Sequence, residues 1–229
     1  MTTEGRWKRA QKYELDFWKR NEDLLPERGG KPPKHLDFVE DGEALADKRV
    51  LEIGCGPMGV IYYLSAKERV GLDPLARDYM NAFGFDARGV SLLSSMGEHL
   101  PFADHTFDVV VIGNVLDHVY QPDRTLNEAR RILKPGGRLI VWMHVIPRWM
   151  RPMRMVLNAI DGGHPHHMTE AEANKLFTDA QLHPTLSEAV PPALGWTNGW
   201  KAAMANITMR NLLLKAETAR EPVRANASP

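Results

Sequence analysis

The sequence predicts an α/β fold built on a parallel sheet. Short apolar runs alternate with amphipathic stretches between residues 49 and 145, as strands joined by crossover helices do. One run, Phe107-Asp108-Val109-Val110-Val111-Ile112, is nearly all apolar, which suits a central strand buried on both faces. A glycine turn, Gly54-Cys55-Gly56-Pro57-Met58-Gly59, follows the first apolar run directly. It places a ligand site at the carboxyl edge of the sheet.

The elements read in order. Residues 6–25 form a helix, with Trp7, Ala10, Tyr13, Glu14, Phe17 and Trp18 at spacings of three and four. Such an aromatic face must pack on something. It is read as a lid over the substrate, with added core as the alternative. Pro26, Gly29 and Gly30 end it, and Lys31-Pro32-Pro33-Lys34 is a stiff connector. Strand one covers 49–54 and a short helix 59–66. Strand two covers 69–73, a helix 75–83, strand three 89–94 and strand four 107–112. A helix over 122–133 buries Leu126, Ala129, Ile132 and Leu133; Lys134-Pro135-Gly136-Gly137 is a turn, and strand five covers 138–145. Pro147 to Asp161 reads as one amphipathic helix with Trp149, Met153, Val156, Leu157 and Ile160 on its apolar face. Arg148, Arg151 and Arg154 line another face, read as solvated. Thr169 caps a helix over 170–180. Strands at about 183–190 and 206–216 follow, then a tail from Glu217 with the composition of a disordered segment.

Composition narrows the function. With 43% apolar and 25% charged residues among 229, the chain has the makeup of a soluble globular domain. Lys plus Arg and Asp plus Glu both number 29, so no global field draws in nucleic acid or anionic membrane. No apolar run is long enough to cross a membrane, and the N-terminus lacks an apolar signal core, so the expected address is the cytoplasm. A single cysteine, Cys55, leaves no internal disulfide and no cysteine-only metal cluster.

The glycine turn narrows it further. Asp73 closes strand two, nineteen residues after Gly54. Together they make a site for an adenosine-type cofactor: glycines admit backbone close to the ligand, and the acid takes both ribose hydroxyls. Gly54, Gly56 and Gly59 also fit the dinucleotide spacing. Glu52, two residues upstream, argues against that use, because it sets a carboxylate near where a pyrophosphate would sit. S-adenosylmethionine carries a sulfonium and an ammonium instead. One such charge pair at ~4 Å is worth roughly 4 kcal/mol before desolvation, at an effective dielectric near 20.

Four ordered blocks then carry a family resemblance. They are Val50 to Gly59; Gly71-Leu72-Asp73; Glu98-His99-Leu100-Pro101-Phe102 running into Phe107-Asp108-Val109-Val110; and Leu133-Lys134-Pro135-Gly136-Gly137-Arg138-Leu139. Over residues 48–145 the chain resembles class I S-adenosylmethionine-dependent methyltransferases, the small-molecule group similar to the ubiquinone/menaquinone-biosynthesis type. The resemblance implies a Rossmann-like, seven-stranded, mostly parallel sheet with an antiparallel last strand and helices on both faces. The expected organisation is a helical lid or extension at 1–45, the methyltransferase domain at 46–216 and a tail at 217–229. By resemblance, Gly54, Cys55 and Gly56 line the methionine part of the cofactor, Glu52 lies near its ammonium, and Asp73 and Pro74 lie at the ribose. Many relatives place an Asp where Met96 stands here, so adenine recognition is expected to rest on backbone amides near Gly97, on Glu98, or on apolar packing from Met96. Asn114 is expected beside the methyl group.

Methyl transfer from a sulfonium is an in-line displacement that rests on alignment and exclusion of water. A hydroxyl or protonated amine acceptor also benefits from a base, and histidine suits that role. His118, just past strand four, is the leading candidate, and His144 ends strand five on the same edge. In His164-Pro165-His166-His167, His166 or His167 is read as a base or substrate contact. Three histidines on one loop make a poor metal site, so no metal is expected. The expected partner is a small-molecule methyl acceptor. The alternatives are an NAD(P)-dependent oxidoreductase, a methyltransferase acting on RNA or protein, and a non-catalytic subunit retaining the cofactor site.

Overall fold

The computed structural model describes residues 3–25, 33, 35–40, 44–84, 87–161, 163–191 and 208–219. Seven strands form one sheet. They are β1 (Arg49–Ile53), β2 (Glu68–Leu72), β3 (Ser91–Leu93), β4 (Phe107–Gly113), β5 (Leu133–Val145), β6 (His183–Val190) and β7 (Arg210–Glu217). Their order is β3-β2-β1-β4-β5-β7-β6. The first five run parallel, and β7 is antiparallel to both β5 and β6. The expected doubly wound sheet with an antiparallel last strand is therefore present. The order reverses between β1 and β4, and a sheet of this kind opens its ligand crevice at such a switch point.

Six α-helices occur among the described residues: α1 (Thr3–Arg20), α2 (Leu36–Glu40), α3 (Ala76–Phe83), α4 (Pro122–Ile132), α5 (Arg154–Ile160) and α6 (Glu170–Asp179). Two apolar clusters cover the two faces of the sheet. Leu126, Ala129 and Ile132 of α4 join Ala173 and Phe177 of α6 on one face. Tyr79 and Phe83 of α3, with Val60, Ile61, Leu25 and Val39, fill the other. Val109 to Ile112 of β4 are fully buried, as its uninterrupted apolar run predicts. Thr169 caps α6 through a capping box: it bonds the Glu172 backbone, and the Glu172 carboxylate accepts the Thr169 N–H at 3.0 Å. Among the described residues no helix is long and apolar enough to cross a membrane.

Several expected boundaries differ, each for a local reason. The helix at 59–66 is only a 3-10 turn over Val60–Tyr62. The Lys134–Gly137 turn lies inside β5: Phe107 pairs with Leu133 and Val109 with Arg138, so the four residues bulge out opposite Asp108, with Gly136 at φ 73. The helix from 147 to 161 splits into a 3-10 stretch, Arg148–Met153, and α5. Pro152 lies inside that 3-10 stretch and has no N–H to donate. Its expected apolar face is largely not core: Trp149 is 58% exposed and Val156 55%. Of the arginines there, Arg151 and Arg154 pair with Glu172. The N-terminal helix starts at Thr3 and stops at Arg20, where the Asn21 side chain bonds back to the Phe17 carbonyl. Glu217, expected to open a tail, is the last residue of β7 and pairs with Arg138 and His183. The rest of that tail, from 220 on, and most of the 31–34 connector lie outside the described residues.

Candidate active site

A cavity of about 240 Å³ lies at the carboxyl ends of β1, β2 and β4. Glu52, Gly54, Cys55, Gly56, Asp73, Pro74, Met96, Gly97, Glu98, Asn114 and His118 all line it. The strands converge these residues because each ends at the same edge of the sheet. Trp7, Ala10, Gln11, Glu14 and Trp18 of α1 close the cavity from the other side.

The turn after β1 is built around two acids. Gly54 stands at φ 72 and Gly56 at φ 49, conformations that favour glycine. A Cβ on Gly54 would come within 2.4 Å of the Val115 side chain, whereas one on Gly56 would meet nothing. Gly56 therefore leaves room for a ligand and Gly54 leaves room for the protein. Gly59 completes the dinucleotide spacing for another reason: its Cβ would lie 2.5 Å from a Glu52 carboxylate oxygen. Tyr62, which the sequence reading did not single out as part of the site, pins the turn by donating to the Gly56 carbonyl at 2.8 Å.

Glu52 is buried and accepts from the Ile61 N–H at 2.9 Å. Burial pushes its carboxyl up to about 8, against the pull of the Ile61 and Val60 amides. A cation placed beside it would favour the charged form. Asp73 accepts from the Gly56 N–H at 3.0 Å and the Leu75 N–H at 2.8 Å. Burial raises it to about 6; the two amides oppose the rise, and Glu14 of α1 adds to it. These features fit an adenosine-type cofactor with a cationic end.

Other residues divide between site and scaffold. Asn114 holds φ 55 and donates its N–H to the Trp142 carbonyl at 2.7 Å, a left-handed conformation that asparagine tolerates. Glu98 lines the cavity, but its Oε1 accepts from the Tyr120 and Gln121 N–H groups at 2.8 and 2.9 Å. It thereby satisfies amides just ahead of α4. The Cys55 thiol is buried 3.5 Å from the Tyr62 hydroxyl, and burial pushes its pKa well up, so it is no nucleophile.

The histidines separate. His118 lines the cavity; His166 and His167 do not. His166 Nε2 meets the Val119 carbonyl at 2.9 Å, and burial pushes its pKa down. His167 is held by Asn158 at 2.8 Å and Asp161 at 3.1 Å. His164 instead packs against His118, ring centres 4.5 Å apart. Burial disfavours its charged form, but a 2.9 Å bond to Asp161 and the field of Asp117 push it up to about 9. Asp117 is wholly buried; burial would raise its pKa, and His118, His164 and His144 together bring it down. Asp117 Oδ1, His118 Nε2 and His144 Nδ1 are all buried without a hydrogen-bond partner. Each such group costs about 1–3 kcal/mol. The sequence reading passed over Asp117, although an acid beside a histidine past a central strand is a visible signal.

Comparison with known proteins finds methyltransferase relatives. Residues 51–141 match the family described as a methyltransferase domain. An uncharacterised methyltransferase of Mycobacteroides abscessus is 32% identical over 158 residues, 63% of this chain and 55% of that protein. The ubiquinone/menaquinone biosynthesis C-methyltransferase of Haemophilus ducreyi is 43% identical over 67 residues, 29% of this chain and 26% of its own. The chain spans about half the length of the first curated relatives it matches. Among solved structures, geranyl diphosphate C-methyltransferase of Streptomyces coelicolor, in complex with Mg2+, geranyl diphosphate and S-adenosyl-L-homocysteine, superposes with a TM-score of 0.63. The match is 17% identical and covers 81% of this chain and 78% of that one, a likeness of fold.

Proposed function

We infer that this chain, whose residues 51–141 match a methyltransferase domain, is a class I S-adenosylmethionine-dependent methyltransferase that moves a methyl group to a small-molecule acceptor. One observation carries the reading. The buried Glu52 carboxyl and the Asp73 carboxyl face one cavity across a glycine turn that keeps Gly56 open. Glu52 would hold the ammonium of the cofactor and Asp73 its ribose hydroxyls. Met96 and Gly97 would pack on the adenine, and Asn114 would lie beside the methionine portion. When bound, S-adenosylmethionine supplies a methyl group activated on a sulfonium.

The chain's own residues then do three things. Glu52 and Asp73 orient the cofactor through charge and hydrogen bonds. Trp7, Trp18 and the rest of the α1 face exclude water, which competes with the acceptor. His118, which lines the cavity together with Asn114, would serve the acceptor's proton. Because α1 residues line the cavity beside the turn and Asp73, α1 would act as a lid that opens for entry and closes for reaction. A lid made of α1 favours an acceptor small enough to be enclosed.

The test is calorimetry with S-adenosylmethionine, S-adenosylhomocysteine, NAD and NADP, followed by an acceptor screen with labelled methyl. Binding of the first two and neither dinucleotide is expected. Tight dinucleotide binding with no response to S-adenosylhomocysteine would sink the reading.

A further inference from the structure

We propose that Asp117, His118 and His164 form a binding site for a divalent transition-metal ion of the zinc class, beside the cavity whose wall includes His118. The site draws on separate stretches of chain. Asp117 and His118 follow β4, and His164 follows α5. One donor atom from each lies within 4.8 Å of the other two. His118 Nε2 is 3.9 Å from Asp117 Oδ1, and His164 Nε2 is 4.0 Å from Asp117 Oδ2. Bonds of about 2.0–2.2 Å to one tetrahedral ion put its ligands roughly 3.3 Å apart. The donors need to draw in by about 1 Å, a small adjustment for three side chains already packed together.

Four further facts point to an ion. Asp117 Oδ1 and His118 Nε2 are buried with no partner, so the two atoms an ion would take are unclaimed. His164 presents Nε2 to Asp117 because its Nδ1 is bonded to Asp161 Oδ2 at 2.9 Å. That is the carboxylate–histidine arrangement by which proteins orient metal ligands from outside the coordination sphere. His144, at the end of β5, brings a fourth ring to 5.7 Å from His164, and its Nδ1 is also buried without a partner. Two histidines and one carboxylate suit zinc or a neighbouring first-row ion and leave a position open.

His118 is shared between this cluster and the cavity wall, and the role of the ion rests on the methyltransferase reading. An acceptor oxygen or sulfur on the open position would lose its proton to solvent at a lower pH than when free. His118 would then act on the acceptor through the ion. The acceptor class that fits is a small molecule with an ionisable hydroxyl or thiol.

The experiment uses the untagged full chain, stripped with chelator and titrated with Co2+ and Zn2+. One equivalent is expected, with the visible absorption of tetrahedral or five-coordinate cobalt. Asp117→Asn and His164→Gln should each weaken binding at least about 100-fold, and Asp161→Asn about 10–100-fold, as loss of an outer partner does. His183→Ala, on the exposed edge strand, should bind like wild type. A cooperative melt for each variant shows that it folds, and His118→Gln offers a third probe of the same ion. The proposal is overturned if the wild type takes up no stoichiometric ion, or if the ion survives Asp117→Asn and His164→Gln. In the first case His164 is simply an imidazolium held between two acids. A chain that binds S-adenosylhomocysteine but no ion overturns this inference alone. A chain that binds the ion but neither form of the cofactor supports the metal site and overturns the methyltransferase reading.

Discussion

Arg9 of the first helix donates from Nη2 to the backbone carbonyl oxygen of Asp161, 3.0 Å away. The cover over the cavity is thereby tied to the segment that holds His164 and His167. The same group also reaches the Asn158 carbonyl at 3.4 Å. Arg9→Ala should loosen the cover without unfolding the sheet. Hydrogen exchange should speed up across residues 3–20 and stay unchanged in β4. The acceptor KM should rise about 3–10-fold, since hydrogen bonds from a charged group contribute roughly 1.5–3 kcal/mol and α1 keeps its other contacts. Unchanged exchange in α1 would show that this tie does not govern its motion.

Glu52→Gln should exchange affinity for stability. Glu52 keeps its proton up to about pH 8 in the folded chain, against 4.5 for an ordinary glutamate. The folded state holds the extra proton between those values, so stability falls as pH rises across that window. The glutamine variant lacks this slope and should melt higher than wild type at pH 8.5, with little difference at pH 5. Its affinity for S-adenosylhomocysteine should drop at least about tenfold. In the wild type at pH 7, binding should release a proton, and the measured heat should change with the ionisation enthalpy of the buffer.

Asp73→Ala should weaken cofactor binding at least tenfold, since each charge-assisted bond contributes roughly 1.5–3 kcal/mol. The turn should loosen as well, because Asp73 holds the Gly56 and Leu75 amides. Asp73→Asn keeps an acceptor for those amides and should recover most of the melting temperature but less of the affinity. An unchanged dissociation constant in the alanine variant would place the ribose elsewhere.

The two turn glycines should fail differently. Gly54→Ala drives a Cβ into Val115 at 2.4 Å and strains φ 72, so the melting temperature should fall sharply. Gly56→Ala meets no protein atom. It should cost about 1–2 kcal/mol for its left-handed backbone and lose much more in cofactor affinity. Unchanged cofactor affinity in Gly56→Ala would mean that Gly56 does not face the ligand.

Glu98→Ala should behave as loss of a helix cap. Its carboxylate meets two amides ahead of α4, so stability should fall by about 1 kcal/mol, up to about 2. Cofactor affinity should fall less than for Asp73→Ala. A larger loss of affinity than of stability would give Glu98 a direct part in binding.

The sheet and the cavity at its carboxyl edge were legible because their signals are local. The apolar run at Phe107–Ile112, the spacing from Gly54 to Asp73, and Glu52 two residues before the turn each sit within a short window. Every expected cofactor residue, from Glu52 to Asn114, does line one cavity. What stayed hidden depends on contacts between distant segments. Glu98 is claimed by amides 22 and 23 positions away. Trp149 and Val156 follow a helical pattern, yet the segment divides into a 3-10 stretch containing Pro152 and a separate helix, and the two are 58% and 55% exposed. His164, His166 and His167 look equivalent in sequence. Only the path of the chain sends His164 toward Asp117 and the other two toward backbone or side-chain partners.

The position of β7 bears on how the molecule is made. It lies between β5 and β6, although β6 precedes it in the chain. As the polypeptide leaves the ribosome, β6 has no strand to join until β7 has emerged. The open edge of β5, with Leu139 and Val141 already in place, waits from Val145 until Arg210 is synthesised. An unpaired strand edge is a template for pairing with another chain, and such non-local pairing forms slowly. Nascent chains halted within that interval are therefore the ones most exposed to aggregation, and a chaperone would be needed most there.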